Sequence, residues 1–341
     1  MAKITALPEE ILLMVLGCVD ELSQLAKCRI VCKAWCNPTE KLMLGREIML
    51  ENEIAIFRLY DVLVRNPAKA YLIKHLRFSI IEPQLSIVLI ELLYLAITPN
   101  IETLSGLVEP YEPFALTIMD AVRKSSMKLD KLTSMTYPLV IRPIYYSTLC
   151  FFKETLQIVM FTQPELPIDQ DFWNFVNVLD SFRNLTSLNL KGRFETVEDI
   201  NTVLDKCLYL QELTLEAFDQ PIVTTREDIT AWSESTVKKQ HHLKMLNIKK
   251  DLTPDLAEYL LYKYTKIQHI RIDIEFQEDF FDNFFDRIVA AIHQVPKRDL
   301  YLGISRDLDF RNLVYLLLTK NLSICNVDLE TADFRIKIGG V

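Results

Sequence analysis

Three cysteines spaced four residues apart are the first candidates for chemistry in this chain. Cys28, Cys32 and Cys36 recur at about one helical turn, which places their thiols on one face of a predicted helix. Three thiolates could hold a zinc ion, but zinc sites use shorter paired spacings, and no fourth cysteine or histidine is close in sequence. We therefore expect small, buried side chains here and no metal.

Two further groups could act as acids, bases or ligands. Asp279, Asp282 and Asp286 share a helix face beside four phenylalanines, so a catalytic carboxylate pair is one interpretation. An aromatic core stripe with a solvated acidic edge is the favoured one. His241 and His242 stand in a polar segment, where surface exposure is expected. No G-x-S-x-G, H-E-x-x-H or phosphate-loop motif occurs, and no glycine cluster opens a helix, so we expect neither an enzyme nor a cofactor.

Composition narrows the class of protein. The 341 residues are 50% apolar and 25% charged, as in globular chains, and the net charge of −8 argues against a dominant nucleic-acid surface. No window is long and apolar enough for a membrane span, and Glu9 and Glu10 interrupt any resemblance to a signal peptide. Seven irregularly spaced cysteines favour reduced thiols, and hence a cytoplasmic or nuclear location.

The chain opens with a predicted helix, residues 8–19, that is apolar on every side. Pro8 suits a first helical turn, and Glu9 and Glu10 favour the positive end of the helix dipole. A second helix is predicted from Ser23 to Trp35, and a third over the segment NPTEKLML. Three short helices cannot cover such a helix by themselves, so part of its surface must pack on the rest of this chain or on another protein.

These residues resemble the F-box, a helical module of eukaryotic ubiquitin-ligase subunits. The family pattern of Leu-Pro-x-Glu-Ile-Leu, an apolar pair and Val-Cys-Lys-x-Trp is matched by LPEEIL, VL and VCKAW over residues 1–48. The resemblance implies docking on a Skp-type adaptor that bridges to a cullin. The residues that match the adaptor-contacting face are Leu7, Pro8, Ile11, Leu12, Val15, Leu16, Val31, Cys32 and Trp35. Some of them must hold the three helices together, and the sequence does not divide the two groups.

The remaining chain is predicted to be a repeat array. Residues 49–70 read as a linker helix broken at Asn66-Pro67, with no flexible Gly/Ser stretch. Over residues 71–341, about ten short apolar strands recur roughly every 28 residues, within the range of leucine-rich repeats. The strand segments are HLRFSI, ETLSGL, KLTSM, TLQIVM, SLNLKG, ELTLEA, MLNIKK, HIRIDI, DLYLGI and NVDLET. Amphipathic helices separate them, so the fold class is α/β: an F-box followed by an irregular solenoid with a parallel sheet on its concave face. An ordinary α/β domain is the alternative.

A target protein would meet the strand side chains that point away from the core. The candidates for target binding on these strands are Arg77, Lys191, Glu216, Lys249, Arg271, Asp273 and Tyr301. Trp232, within the long non-repeat stretch of residues 218–242, is a further candidate anchor, although a large aromatic side chain more often packs under its own loop.

Three functional hypotheses follow. The first is the substrate-recognition subunit of a cullin-type ubiquitin ligase, which binds a Skp-type adaptor through the F-box and a target through the repeats. The second is an F-box scaffold that acts outside ubiquitination. The third, an enzyme with an unrecognised site, is disfavoured by the absent motifs. A nucleic acid or a membrane is not expected among the partners.

Overall fold

Strands and helices alternate along most of the chain, as the apolar pattern predicts. The computed structural model describes residues 7–82, 84–162, 170–192, 194, 196–216, 229–249, 253–275, 287, 290, 299–305, 326–330 and 335–339. The chain divides into two units, Met1–Thr155 and Leu156–Val341. The architecture is mixed α/β with a helical N-terminal region.

The first unit begins with three helices and continues with strands and helices in alternation. Its helices are α1 (Glu9–Gly17), α2 (Leu22–Arg29), α3 (Lys33–Gly45), α4 (Glu53–Arg65), α5 (Ile87–Ala96), α6 (Tyr111–Ser125) and α7 (Pro143–Phe151), with a 3₁₀ helix at Pro67–Leu72. Its strands are β1 (Glu47–Leu50), β2 (His75–Ile81) and β3 (Thr103–Glu109). The three strands form one parallel sheet in the order β1-β2-β3.

The second unit carries the longer sheet. Its strands are β4 (Ile158–Thr162), β5 (Ser187–Lys191), β6 (Glu212–Glu216), β7 (Met245–Lys249), β8 (His269–Glu275), β9 (Asp299–Ser305), β10 (Asn326–Glu330) and β11 (Arg335–Gly339). Its described helices are α8 (Gln170–Val178), α9 (Val197–Leu204), α10 (Ile229–Thr236) and α11 (Pro254–Lys263), with a 3₁₀ helix at Leu179–Ser181. The strands β4 to β10 are parallel and in sequence order, and β11 pairs with β10 in the antiparallel direction.

The long sheet keeps a constant register, which follows from the repeated apolar pattern. Leu188, Leu213, Leu246, Ile270 and Leu300 are Cα partners on successive strands, and all five are buried. Because side chains alternate along a strand, the residues between these positions lie on the opposite face of the sheet. The repeated sequence pattern therefore builds a layer of buried leucine and isoleucine across this part of the sheet.

Nine of the ten predicted strand segments contain strands, and one does not. The segment KLTSM contains no strand: it meets β3 through one isolated bridge, from Thr103 to Ser134, and a second bridge joins Leu107 to Tyr137, just after the segment. In the segment TLQIVM the strand begins only at Ile158, and Val159, not Leu156, is the register partner of Leu188. Strands β1 and β11 were not predicted.

The predicted ten-stranded array does not form one sheet in the structure. The break falls between β3 and β4, which belong to different sheets and different units. The predicted break at Asn66-Pro67 is confirmed, since α4 ends at Arg65 and a 3₁₀ helix begins at Pro67. That the strands and helices form a leucine-rich-repeat solenoid remains a prediction.

Candidate protein-interaction surface

The three N-terminal helices pack around a small group of leucines. Leu12 and Leu16 of α1 are only 3% and 1% exposed, and Leu25 of α2 is fully buried. Surface ties reinforce the bundle: Lys41 Nζ lies 2.6 Å from Glu9 Oε1, and the Arg46 guanidinium donates to the main-chain oxygens of Val19 and Asp20. Lys41 and Glu9 thus link α3 to α1, and Arg46 links the end of α3 to the segment that follows α1.

The outer face of α1 stays exposed although it is apolar. Ile11, Met14 and Val15 stand one helical turn apart on this face, and Met14 is 70% exposed. Two further apolar side chains are exposed in the turn between α2 and α3: Ile30, which is 84% exposed, and Val31. We call this set the F-box surface; its members are Leu7, Ile11, Met14, Val15, Leu22, Ile30 and Val31. A group of exposed apolar side chains on so small a module is typical of a protein-interaction site.

The structure divides the predicted adaptor-contacting residues. Leu7, Pro8, Ile11, Val15 and Val31 are exposed and remain available for contact. Leu12 and Leu16 were predicted to contact the adaptor, and this is corrected: both point into the bundle, since the face of α1 that packs on its neighbours takes one residue from each turn. Cys32 and Trp35 are half-buried.

The predicted boundaries of the second and third helices are wrong. Helix α2 ends at Arg29, and α3 begins at Lys33, so Cys32 precedes α3 and Trp35 lies in its first turn. Pro38 is then the sixth residue of α3. The continuous apolar spacing concealed the turn at Ile30 and Val31, which contains neither glycine nor proline.

The same turn separates the three cysteines. Cys28 belongs to α2, whereas Cys36 belongs to α3, so the predicted shared helical face does not exist. Among the residues that the structure describes, no group of three or more His, Cys, Asp or Glu side chains could hold a metal ion.

The F-box surface was only partly visible in the sequence. Met14, Leu22 and Ile30 were missed, because the resemblance directs attention to residues that match the family pattern. The helical spacing from Ile11 to Met14 and Val15 was the signal that could have found Met14.

The helical module is joined firmly to the linker. Glu40 of α3 accepts a hydrogen bond from Lys69 Nζ at 2.8 Å and lies 3.3 Å from Arg29 Nη2. Glu40 thus connects α2, α3 and the 3₁₀ helix that follows α4. These contacts link the module to the segment that precedes the first sheet.

The second unit gathers most of the predicted target-binding residues on one sheet face. Lys191, Glu216, Lys249 and Asp273 are register partners on β5 to β8. Glu216 lies between the two lysines, 3.6 Å from Lys191 Nζ and 3.5 Å from Lys249 Nζ. The basic and acidic side chains therefore alternate across the strands and largely compensate one another.

Arg271 of β8 lies on the same face of the long sheet and contacts two of its neighbours. Arg271 Nε donates to Asp273 Oδ2 at 3.0 Å, and the guanidinium carbon stands 4.1 Å from the ring centroid of Tyr301. Stacking on an aromatic ring together with an ion pair holds the guanidinium in a defined position. Arg77 is not part of this group, because it lies on β2 in the first unit, where it pairs with Glu47 at 3.6 Å.

Trp232 does not form an exposed anchor. Its side chain is 6% exposed in α10, and its ring lies 5.8 Å from that of Tyr259 in α11. The prediction that Trp232 contacts a target is therefore corrected: the side chain fills the space between two helices.

Of the remaining candidate residues, the structure describes the two histidines but not the three aspartates. His241 and His242 are exposed, as predicted, and His241 Nδ1 lies 2.8 Å from Thr265 Oγ1. Asp279, Asp282 and Asp286 lie outside the described residues. In the part of the chain that the structure describes, every helix is too short or too polar to cross a membrane.

Comparison with known proteins bears on the N-terminal helices. A search of curated proteins found no match to the chain. The F-box-like family model matches residues 4–47, which include α1, α2 and α3. The chain therefore contains an F-box-like domain, a module of protein–protein interaction, and the F-box surface lies within it.

Proposed function

We propose that this protein is the substrate-recognition subunit of an SCF-type ubiquitin ligase. On this proposal the F-box-like domain binds a Skp-type adaptor, which connects it to a cullin. The observation that carries the proposal is the F-box surface: a module that matches the F-box-like family also leaves its apolar side chains uncovered. Exposed apolar side chains gain free energy when a partner removes them from water.

The F-box surface has the composition of an interface centre. Ile11, Met14 and Val15 of α1 supply aliphatic contact area, and Ile30 and Val31, in the turn between α2 and α3, are exposed aliphatic side chains of the same domain. Charged residues next to these positions in sequence, among them Glu10, Glu21 and Lys33, are exposed as well. Apolar anchors within a polar rim are the usual anatomy of a specific interface. A truncation at the centre of such a surface typically costs about 2 kcal/mol of binding free energy.

The target is proposed to bind outside the F-box-like domain, on strands that form an irregular leucine-rich-repeat solenoid. The constant register of β5 to β9 and the outward row of Lys191, Glu216, Lys249 and Asp273 support this part of the proposal. The protein would carry out no covalent chemistry. It would raise the local concentration of a target near the transferring enzyme.

Co-purification with a purified Skp-type adaptor tests the proposal. We expect the wild-type chain to bind, and Ile11→Asp combined with Val15→Asp to weaken binding at least tenfold, since two charges would be buried at the interface. Leu208→Asp is the matched control, because Leu208 is a similarly exposed apolar residue outside the F-box-like domain. Leu12→Asp is unsuitable, because it would disrupt the bundle itself.

Two results would overturn the proposal: no adaptor binding by the wild-type chain, or equal binding by the double variant. Addition of the cullin separates the first hypothesis from the second. A ternary complex supports the ligase subunit, whereas adaptor binding without cullin supports a scaffold outside ubiquitination. The proposal includes the cytoplasmic or nuclear location expected from the cysteine pattern.

A further inference from the structure

A second apolar surface lies at the carboxyl end of the first sheet. Ile81 ends β2, and Leu139 and Val140 lie in the loop before α7; these side chains are 64%, 62% and 60% exposed. Leu107 of β3 is half-buried and lies on the same sheet face as Ile81, two register positions earlier. We call these four residues the carboxyl-edge patch. All of them lie outside residues 4–47.

The carboxyl-edge patch is held together by one carboxylate. Glu109, the register partner of Ile81, accepts hydrogen bonds at Oε1 from the main-chain N–H of Leu139 at 2.8 Å and of Val140 at 3.2 Å. Its Oε2 accepts from the N–H of Tyr111 at 3.3 Å, and its main-chain oxygen accepts from the N–H of Glu82. The loop that carries Leu139 and Val140 is therefore fixed to the sheet edge.

This arrangement has no evident role in the core of the first unit. The core residues of β2, Leu76, Phe78 and Ile80, point to the opposite face of the sheet. Exposed aliphatic side chains cost free energy in water, and here the Glu109 carboxylate fixes the backbone of two residues whose side chains are exposed. A surface that is fixed before binding loses little conformational entropy when a partner covers it.

The charges around the carboxyl-edge patch select among possible partners. Glu82, Glu109 and Glu112 stand at this end of the sheet, with Arg142 as the nearby basic residue in the loop before α7. Two copies of the chain that met through this surface would bring these carboxylates together, and an anionic lipid surface would be repelled. A partner with basic residues beside an apolar segment has the complementary charge.

We propose that the carboxyl-edge patch binds a short apolar segment of a partner protein that is flanked by lysine or arginine. Ile81, Leu107, Leu139 and Val140 would contact the apolar residues, and the three glutamates would attract the flanking cations. The inference deepens the proposed function, since such a segment would belong to the target, but it can be tested without the adaptor.

Two fluorescent synthetic peptides test this proposal on the full-length chain. Both contain the same apolar core of leucine and isoleucine; one is flanked by lysines and the other by glutamates. We expect the lysine-flanked peptide to bind at least tenfold more tightly in fluorescence anisotropy titrations. Its affinity should fall as salt is raised from about 50 to about 300 mM, because salt screens exposed charges.

Substitutions distinguish this surface from general attraction to an acidic protein. Leu139→Ser combined with Val140→Ser should weaken the lysine-flanked peptide about tenfold while the fold is retained, since both side chains are exposed and their main-chain hydrogen bonds remain. Ile54→Ser combined with Val64→Ser, at exposed apolar positions of α4, is the matched control and should leave the affinity unchanged.

Three outcomes would overturn the inference. They are equal affinity for the two peptides, unchanged affinity in the Leu139→Ser/Val140→Ser variant, and self-association of the chain that this variant abolishes. Adaptor binding by the same variant should equal wild type, whereas Ile11→Asp should impair adaptor binding and leave peptide binding intact. Failure of this inference is thereby distinguishable from failure of the proposed function.

Discussion

Among single residues, Lys263 has the most unusual environment. The side chain is fully buried, and its Nζ donates to Asn201 Oδ1 at 2.9 Å and to Asp205. The hydroxyl of Tyr259 also donates to Asn201 Oδ1, at 2.8 Å. These bonds join α11 to α9 and to Asp205, which directly follows α9. Helix α10 lies between α9 and α11 in the sequence. Burial lowers the pKa of Lys263, and the Asp205 carboxylate opposes that shift.

Removal of Asp205 and removal of Lys263 should change the free energy of unfolding by different amounts. Asp205 is 37% exposed and can be solvated when it loses its partner, whereas Lys263 is fully buried. We therefore expect Asp205→Asn to destabilise the protein by about 3 kcal/mol, and Lys263→Met by less, because an unpaired buried charge is the costlier result. Chemical denaturation of both variants measures the difference. A larger loss for Lys263→Met would contradict this account.

The lowered pKa of Lys263 also predicts a pH dependence. Between its pKa in the folded protein and the value near 10.4 in the unfolded chain, the unfolded state binds more protons, so this group makes the folded state more stable as pH rises. The buried tyrosines oppose this trend, but they are common to wild type and Lys263→Met. The free energy of unfolding of wild type minus that of the variant should increase as the pH is raised toward the pKa of an unfolded lysine, near 10.4. A constant difference would show that Lys263 has an ordinary pKa.

At the scale of elements, the close contact between β2 and β3 depends on Gly106. Gly106 of β3 has φ of +88°, and a Cβ placed there would stand 2.0 Å from the main-chain oxygen of Phe78 on the neighbouring strand. No side chain fits at that distance without a shift of the backbone. Helix α9 begins with a capping box, in which Thr196 and Asp199 satisfy each other's main-chain N–H groups.

Gly106→Ala should destabilise the first sheet by about 2 kcal/mol or more, because it combines a steric clash with an unfavourable φ. Gly17→Ala is the matched control: a Cβ added at Gly17 would meet no atom of another segment within 4 Å, and alanine favours a helix. Thermal unfolding should show a marked loss for the first variant and no loss for the second. Equal effects would mean that β3 relaxes around the new side chain.

At the scale of the whole molecule, the two units have separate sheets. The first contains the F-box-like domain and the carboxyl-edge patch, and the second contains the long sheet with its alternating charges. If the functional proposals are correct, one unit holds both the adaptor site and a site for a basic, apolar segment. The long sheet of the second unit carries a polar row of side chains, in which Glu216 pairs with Lys191 and Lys249.

Because the chain forms two compact units, we expect a destabilising substitution to affect mainly the unit in which it lies. Gly106→Ala should accelerate amide hydrogen exchange in peptides from β2 and β3, and Asp205→Asn should do so in peptides from α9 and α11. Each variant should leave the protection of the other unit near its wild-type value. Hydrogen exchange followed by mass spectrometry measures both regions in one experiment. Loss of protection throughout the chain in either variant would indicate that the chain unfolds as one cooperative unit.

Local patterns in the sequence were sufficient to predict most of the helices and strands. Pro8, Glu9 and Glu10 mark the start of α1, and alternating apolar residues mark the strands of the long sheet, because these signals act between residues close in sequence. The resemblance carried by Leu7-Pro8-Glu9-Glu10 and by Val31 to Trp35 was sufficient to predict an F-box, and the family match over residues 4–47 confirms a domain of that kind.

Only the tertiary structure decided which apolar residues face inward. Leu12 and Leu16 are buried while Ile11, Met14 and Val15 are exposed, although all five belong to one apolar run. The burial of Trp232, the break between β3 and β4 and the placement of Leu139 and Val140 by Glu109 likewise depend on residues far apart in sequence. Local periodicity determines which segments form helices and strands, but packing between distant segments determines which surface remains for a partner.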